Sequence, residues 1–385
     1  MRILLSGARA PVTLDLVRHF HQAGHEVFLA DSIRLPLARF SRFVKRTFLV
    51  AKPALEPTRF VEDLVEITSR HEIDLLIPTC EEIFYIAAKL QLFSPSVSVY
   101  CEPLSRLKEL HNKWTFTSLV KSSSSLIQPP ETHFAASSVD LEPWINRQDL
   151  VDWVFKPVYS RFAARTLVGP KSEVIATLRP SVTDPWIIQR RIRGREFSTY
   201  SVARQGVLRA HVSYCSKYQV GIGSGIYFVA IDDDRIRSFV QDFVARHQFT
   251  GQVGFDLMQS EEGKLHVLEC NPRATSGLHL LKSVSLAEAF LHSHGSVLEP
   301  ESSRPRMLAP IVVLFSLPKA VTNGKLVTLL RDMWEASDVM FAWNDPGASL
   351  LSPLSLLEVI ATACYQQKSL TRAATYDIEW NGEPI

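Results

Sequence analysis

Residues 251–277 read Gly-Gln-Val-Gly-Phe-Asp-Leu-Met-Gln-Ser-Glu-Glu-Gly-Lys-Leu-His-Val-Leu-Glu-Cys-Asn-Pro-Arg-Ala-Thr-Ser-Gly. Residues 253–259 alternate apolar and polar as a strand does, and residues 264–270 do the same. Glu261-Glu262-Gly263 between them suits a hairpin turn. Pairing these strands brings Asp256 to Glu269 and Asn271. Two carboxylates and one amide oxygen then converge as a hard, oxygen-only set. They are too few for a dedicated calcium cage and fit magnesium that also takes oxygens from a substrate phosphate. Arg273 can reach the same anion with a planar fork of donors. A sheet edge whose carboxylates merely face water would read the same from the hairpin alone.

The rest of the composition narrows the class. A chain of 385 residues is long enough for two or three domains with a real core. Its 46% apolar and 21% charged content is that of an ordinary soluble protein. A net charge of +2 implies no strong field for nucleic acid or a membrane. Cys80, Cys101, Cys215, Cys270 and Cys364 are far apart and show no CxxC spacing, so neither a disulfide framework nor a zinc site is expected. The apolar run at 307–317 is too short to span a bilayer and contains Pro310. The chain starts on a strand pattern and not on a charged-then-apolar leader. A cytoplasmic protein is expected.

From the start, residues 2–6 read as a buried strand, 11–23 as a helix ended by Gly24, and 25–30 as the next strand. Asp31 stands where a dinucleotide fold holds ribose. The glycine fingerprint is missing, since Arg9 and Val12 follow Gly7 where glycines would be needed, so a structural α/β domain is the favoured reading. Residues 60–69 read as a helix and 73–77 as a strand. Thr79-Cys80-Glu81-Glu82 then opens a helix with Thr79 as cap. One of the two glutamates can face a ligand above the carboxyl edge of the sheet. Asn112 caps a helix that carries Lys113. Residues 151–155 form a strand running into Lys156-Pro157. Residues 186–190 and 197–203 are strands, 236–246 an amphipathic helix, 285–292 a helix and 311–315 a strand. His211 and His266 alternate with apolar residues, which favours core or sheet-face roles over catalysis. The tail after 305 reads as a small closing subdomain.

The order Lys113, Lys156-Pro157, Gln189…Gly194-x-Glu196, Asp256, Glu269-x-Asn271-Pro272-Arg273 resembles the ATP-grasp superfamily, over about residues 1–300. The resemblance implies an α/β chain, α+β in its grasp part. A Rossmann-like pre-ATP-grasp domain (1–105) would lead into an ATP-grasp domain with antiparallel sheets clasping ATP (106–305), then a C-terminal subdomain (306–385). It implies that Lys113 and Lys156 contact ATP phosphates, that the segment from Gln189 to Ile192 lines the adenine, and that Glu196 lies near the ribose. Leu268 would pack under the base. Asp256, Glu269 and Asn271 would hold magnesium, with manganese as an alternative, and Arg273 would face the transferred phosphoryl group or the acyl intermediate. Lys156 and Arg273 are the catalytic candidates. The chain departs from the family in having Gln189 where glutamate is common, although glutamine still accepts from the adenine amino group. It also lacks glycine in the phosphate-covering loop, where Arg161 or Arg165 can substitute side-chain charge.

The implied activity is an ATP-dependent carboxylate–amine ligase working through an acyl phosphate, on an amino acid or small metabolite. A phosphotransferase of the same fold and an ATP-binding module without turnover are the alternatives. The expected partners are a small-molecule carboxylate and an amine, without nucleic acid or membrane. The resemblance also leaves room for a homodimer.

Overall fold

The computed structural model describes residues 1–123, 126–160, 165–221, 223–282 and 286–385. Its first part runs β1 (Arg2–Ser6), α1 (Pro11–Gln22), β2 (Glu26–Asp31), β3 (Val44–Leu49), α2 (Pro57–Arg70), β4 (Leu75–Ile77), α3 (Glu82–Ala87) and β5 (Ser98–Val99). Pro11 sits in the first turn of α1, where a missing N–H costs nothing and a fixed φ helps. The strands form one parallel sheet in the order β3-β2-β1-β4-β5. Ile3, Leu5 and Ile77 pack with Leu14 and Val17 of α1. Leu4 and Leu76 pack with Phe60, Val61 and Leu64 of α2. Helices thus cover both faces, which is why β1 and β4 read as continuous apolar runs.

At the carboxyl end of β1, Gly7 has φ +71° and abuts the end of β4: a Cβ there would stand 2.5 Å from Thr79 Oγ1. This is where the strand order reverses, the usual ligand crevice of open parallel sheets. Thr79 does not cap α3. Its hydroxyl donates to the Ser6 carbonyl at 2.7 Å, and the Glu82 carboxylate accepts from the Thr79 and Cys80 amides, both at 3.1 Å.

Asp31 is not open to a ribose. Arg9 forms ion pairs of 2.6 Å to Asp31 and 2.6 Å to Asp377, with all three side chains buried. Arg9→Ala would leave two buried carboxylates without their cation and is expected to cost about 3 kcal/mol or more. The check is calorimetric melting: an unchanged Tm would show that water replaces the guanidinium.

The second part begins with α4 (Leu104–His111) and α5 (Lys113–Lys121). Asn112 caps α5 as expected, its side-chain oxygen accepting from the Trp114 and Thr115 amides at 3.0 Å each. Strands β6 (Thr132–Ala135), β7 (Trp153–Pro157), β8 (Leu167–Val168) and β9 (Trp186–Arg190) form an antiparallel sheet ordered β6-β9-β7-β8. The short helices α6 (Glu142–Ile145) and α7 (Ser172–Thr177) close one face of it, through a core of Trp144, Ile175, Trp153, Phe155, Trp186 and Ile188. Alternation leaves Val154 and Lys156 of β7, and Ile187 and Gln189 of β9, on the other face.

A larger sheet follows, built from β10 (Gly194–Arg204), β11 (Val207–Val220), β12 (Ser224–Ile231), β13 (Gly251–Ser260), β14 (Leu265–Asn271), β15 (Arg306–Met307) and β16 (Ser337–Asp338). Its order is β14-β13-β10-β11-β12-β15-β16. Helix α8 (Asp234–Arg246) packs Ile236, Val240 and Val244 on one face, against Phe197, Val253, Phe255, Leu257, Leu265 and Val267. Helix α9 (Leu286–Leu291) joins the core of the first part through Phe290.

Four helices complete the chain: α10 (Ala309–Thr322), α11 (Leu326–Glu335), α12 (Gly347–Gln366) and α13 (Leu370–Ala373). The strand expected at 311–315 is part of α10. A short apolar run cannot choose between strand and helix. Pro310 in the first turn and the spacing of the buried Val312, Ser316 and Ala320 decide for helix. The tail returns to the first part, where Trp380 stacks on Phe84 at 4.6 Å between ring centroids. The five cysteines are free.

Candidate functional site

The site is built from three pieces of chain. The first is the β13–β14 hairpin, whose register sets Asp256 opposite Glu269 and Gly254 opposite Asn271. Leu265 and Val267 of β14 point into the core, and simple alternation would send Glu269 after them. It does not, because the register shifts at this point and Leu268 is the extra residue of a bulge. Cys270 takes the next core position, and Glu269 and Asn271 turn to the same face as Asp256.

On that face Asp256 is held from two sides. Ser198 of β10 donates its hydroxyl to Oδ1 at 2.6 Å, and the Asn271 amide donates to Oδ2 at 3.0 Å. The Asn271 oxygen accepts in turn from Arg273 Nη2 at 3.2 Å. Burial, and then the neighbouring Glu269 charge, push the Asp256 carboxyl well above its usual range. Glu269 goes the other way. Burial would raise it, but Lys113 and then Lys156 outweigh burial and hold its carboxyl low. Two hard carboxylates pressed together, one of them driven towards its neutral form, make a donor set that a divalent cation would relieve.

The second piece supplies cations. Lys113, the first residue of α5, is buried and reaches Glu269 Oε2 at 3.3 Å and the Ser160 carbonyl at 3.2 Å. Lys156 is also buried, on the open face of the β6–β9 sheet. Burial lowers its pKa to about 8, against the opposing pull of Glu269 and with a further push from Lys113. Gln189 lies buried on the same face, with Nε2 donating to Thr132 Oγ1 at 3.1 Å. Ile192 is half-buried in the segment joining β9 to β10. Glu196 is exposed on β10, opposite Met258, and accepts from Gln219 at 3.3 Å. Leu268 is half-buried at the bulge.

The third piece comes from the first part of the chain. Arg273 Nη2 lies 3.4 Å from Glu81 Oε1, and Glu81 is almost fully buried at the carboxyl end of β4. The two adjacent glutamates therefore divide. Glu82 stays in the β1–β4 turn, where Ser6 Oγ donates to it at 2.8 Å. Glu81 joins Arg273 and also accepts from the Trp380 amide at 3.3 Å. Sequence reading leaves open which glutamate faces the site and misses Ser198. Alternation from the core residue Phe197 would have found Ser198, since it places that side chain on Asp256's face. Arg161 lies outside the described residues. Arg165 pairs with Asp184 at 2.6 Å. His211 is a buried sheet residue between Ser201 and Ser213, as its apolar surroundings suggest.

A separate cavity of about 520 Å³ lies near the ends of β2 and β3, lined by Arg9, Lys52, Glu358, Tyr376 and Asp377 among others. None of its lining residues belongs to the carboxylate cluster of the hairpin.

Residues 110–277 match the family model of the ATP-grasp domain. By sequence, no curated protein matches the chain. Among solved structures, N5-carboxyaminoimidazole synthetase from Staphylococcus aureus is similar over 79% of this chain and 80% of its own, with a TM-score of 0.59 at 11% identity. Biotin carboxylase from Campylobacter jejuni covers 77% and 72%, with 0.57 at 12%. L-amino acid ligase from Bacillus licheniformis covers 74% and 68%, with 0.52 at 15%. At these identities the likeness is one of fold. With a parallel five-stranded α/β sheet in front and the Asp256–Glu269 hairpin at its heart, residues 110–277 make this chain a carrier of the ATP-grasp domain.

Proposed function

We propose that this protein is an ATP-dependent ligase that activates a carboxylate as an acyl phosphate and joins it to an amine, with release of ADP and phosphate. One observation carries the reading: the buried Lys113 and Lys156 converge on the half-buried Asp256 and Glu269, and Arg273 next to them is tied to the crevice of the parallel sheet by Glu81. In the first step a substrate carboxylate oxygen attacks the γ-phosphorus of ATP, and the bond from that phosphorus to the β–γ bridging oxygen breaks. In the second an amine attacks the acyl carbon, phosphate leaves with its oxygen, and the amine gives up a proton. Neither step needs a protein nucleophile. Phosphoryl transfer is limited by positioning and charge neutralisation, which this cluster can supply.

Each residue then has a task. Lys113 and Lys156 are compact cations for phosphate oxygens. Arg273, oriented by Asn271 and Glu81, presents a planar fork to the transferred phosphoryl group or to the acyl phosphate. Gln189, Ile192, Glu196 and Leu268 line the nucleotide. Asp256, Glu269 and Asn271 fit magnesium, with manganese as the alternative, and the ion when bound would supply positive charge against the phosphate oxygens.

Nucleotide should stabilise the folded chain by mass action, by about 2.7 kcal/mol at a hundredfold excess over Kd. ATP or ADP with magnesium is thus expected to raise the melting temperature, and no shift at millimolar nucleotide would remove the ATP reading. The reaction itself is tested by ADP release against panels of carboxylates, bicarbonate and amino acids included, with and without amines. A ligase needs both classes. ADP formed with the carboxylate alone, together with a phosphorylated product that accumulates, would make the protein a phosphotransferase.

A further inference from the structure

Among the described residues, Arg18, Arg209 and Arg306 are the buried arginines. Arg18 gives Nε to Asp345 at 3.0 Å, and Nη1 and Nη2 to the Val339 and Met340 carbonyls at 2.8 and 2.7 Å. Arg209 gives Nε to the His292 carbonyl and Nη1 to the Ser296 carbonyl, both at 3.0 Å. Arg306 stands apart. It is 5% exposed, its Nε is buried with no hydrogen-bond partner, and no ion pair joins its guanidinium to a described carboxylate. Burying a guanidinium without a partner is costly, and such a group calls for an explanation.

Arg306 opens β15 opposite Phe228 of β12, and a cross-strand pair shares a face. That face meets α1 and the short turn Ser276–Leu280, whose His279 ring lies 5.6 Å from the Phe228 ring. The carboxylates nearest in charge are Asp15 and Asp338, and both are engaged. Asp15 accepts from His279 Nδ1 at 2.7 Å and lies 3.7 Å from Arg18. Asp338 accepts from the Ala309 and Phe341 amides at 3.0 and 2.9 Å. The remaining neighbours are cations. Burial lowers the pKa of Arg306 despite Asp15 and Asp338, and Arg18 and Arg304 lower it further. Burial, and then Arg306 itself, push Lys282 down as well.

We propose that Arg306 and Lys282 form the cationic end of a binding site for a small oxyanion, a phosphate or carboxylate head, between β15, α1 and the Ser276–Leu280 turn. One negative charge balances the set. Arg18 and Asp345 cancel, and Arg304, Arg306 and Lys282 then face Asp15 and Asp338, with His279 left out of the count. Arg306 lies too deep for an extended polyanion, so only a group of a few atoms reaches it. Lys282 is exposed and stands at the opening. None of the charges that act most on Arg306 belongs to the nucleotide cluster of Lys113, Lys156 and Glu269. The oxyanion is either free phosphate or the anionic group of a larger substrate, since the turn continues the segment that carries Arg273.

The test is melting and isothermal titration of the full-length chain with inorganic phosphate, and with acetate, at low ionic strength. Either anion bound here should raise the melting temperature by mass action. Arg306→Met keeps an apolar stem and removes the charge. It should lose the response, and without anion it should melt no lower than the wild type, because an uncompensated buried charge is gone. Lys282→Gln, at an exposed position, should weaken phosphate binding about tenfold, the worth of one charge-assisted hydrogen bond. A wild type that responds to neither anion would overturn the proposal. So would an Arg306→Met variant that melts far below the wild type in anion-free buffer, since the protein itself would then satisfy the guanidinium. A response kept in Arg306→Met and lost in Lys156→Ala would place the anion at the nucleotide cluster and overturn it too. The source of a bound anion is read from ADP release, the one arm that rests on the ligase reading. A preference for carboxylates with a second anionic group, abolished in Arg306→Met, makes the anion part of the substrate. Phosphate binding without that preference makes free phosphate the ligand.

Discussion

Glu269→Gln is expected to leave the fold intact and to lower ADP formation by about a hundredfold or more. Glutamine keeps the shape and one oxygen but removes a charge. A unit charge about 4 Å from a cation is worth roughly 4 kcal/mol at an effective dielectric near 20. Lys113 stands 3.3 Å from Glu269, so part of that energy now orders the lysines, and part should appear in the transition state. Each 1.4 kcal/mol lost there is about tenfold in rate. A second effect follows from the same charge. Glu269 is the largest influence holding up the pKa of Lys156, which burial has already lowered to about 8. Without Glu269 that pKa falls further, so the free variant holds Lys156 protonated only at lower pH. The alkaline limb of kcat/KM, which reports the free enzyme, should move to lower pH. Single-turnover ADP release across a magnesium titration, repeated at several pH values, measures both. Normal turnover at ordinary magnesium would return the hairpin to an ordinary sheet edge.

Lys156→Ala comes next in size. It removes a buried cation from beside two carboxylates, so the cluster gains negative charge where a polyanion is to bind. Nucleotide affinity should fall at least tenfold, and turnover with it. Lys156→Arg should rescue only part. A guanidinium is planar and longer than an ammonium, so it cannot set one compact charge where the buried Lys156 ammonium stands, on the face shared with Ile187 and Gln189. Isothermal titration with ADP and steady-state turnover separate the two losses. An alanine variant with wild-type affinity and rate would make Lys156 a lysine that is buried for packing alone.

Much of this molecule is legible in its residues. The parallel opening follows from apolar runs bounded by Pro11 and Gly24, since burial on both faces and helix termini are local signals. Asn112 as a cap, the strand at 186–190 and the hairpin at 251–271 follow for the same reason. The turn at 261–263 fixes the hairpin register as far as Leu257 opposite Val267, and continued without interruption it would set Asp256 opposite Leu268. The apolar run at 311–315 reads as a strand and folds as a helix, because composition without periodicity does not separate a short strand from the start of a helix.

What sequence alone determined is therefore the elements, the hairpin and the chemical types at the site. Tertiary structure decided how they converge. The bulge at Leu268 turns Glu269 out of the core, and nothing in Val-Leu-Glu-Cys announces it, because a bulge is a relation between two strands. Lys113 and Lys156 meet Glu269 from a helix and from another sheet, Ser198 reaches Asp256 across β10, and Glu81 finds Arg273 from the first part of the chain. Local patterning records whether a residue is buried and with what period. It does not record which distant residue lies opposite, since that is set by sheet order and by how the layers close on each other. The same limit applies to α12. Leucines at helical spacing are the pattern of a core-facing stripe, and only the packed chain shows them turned outward.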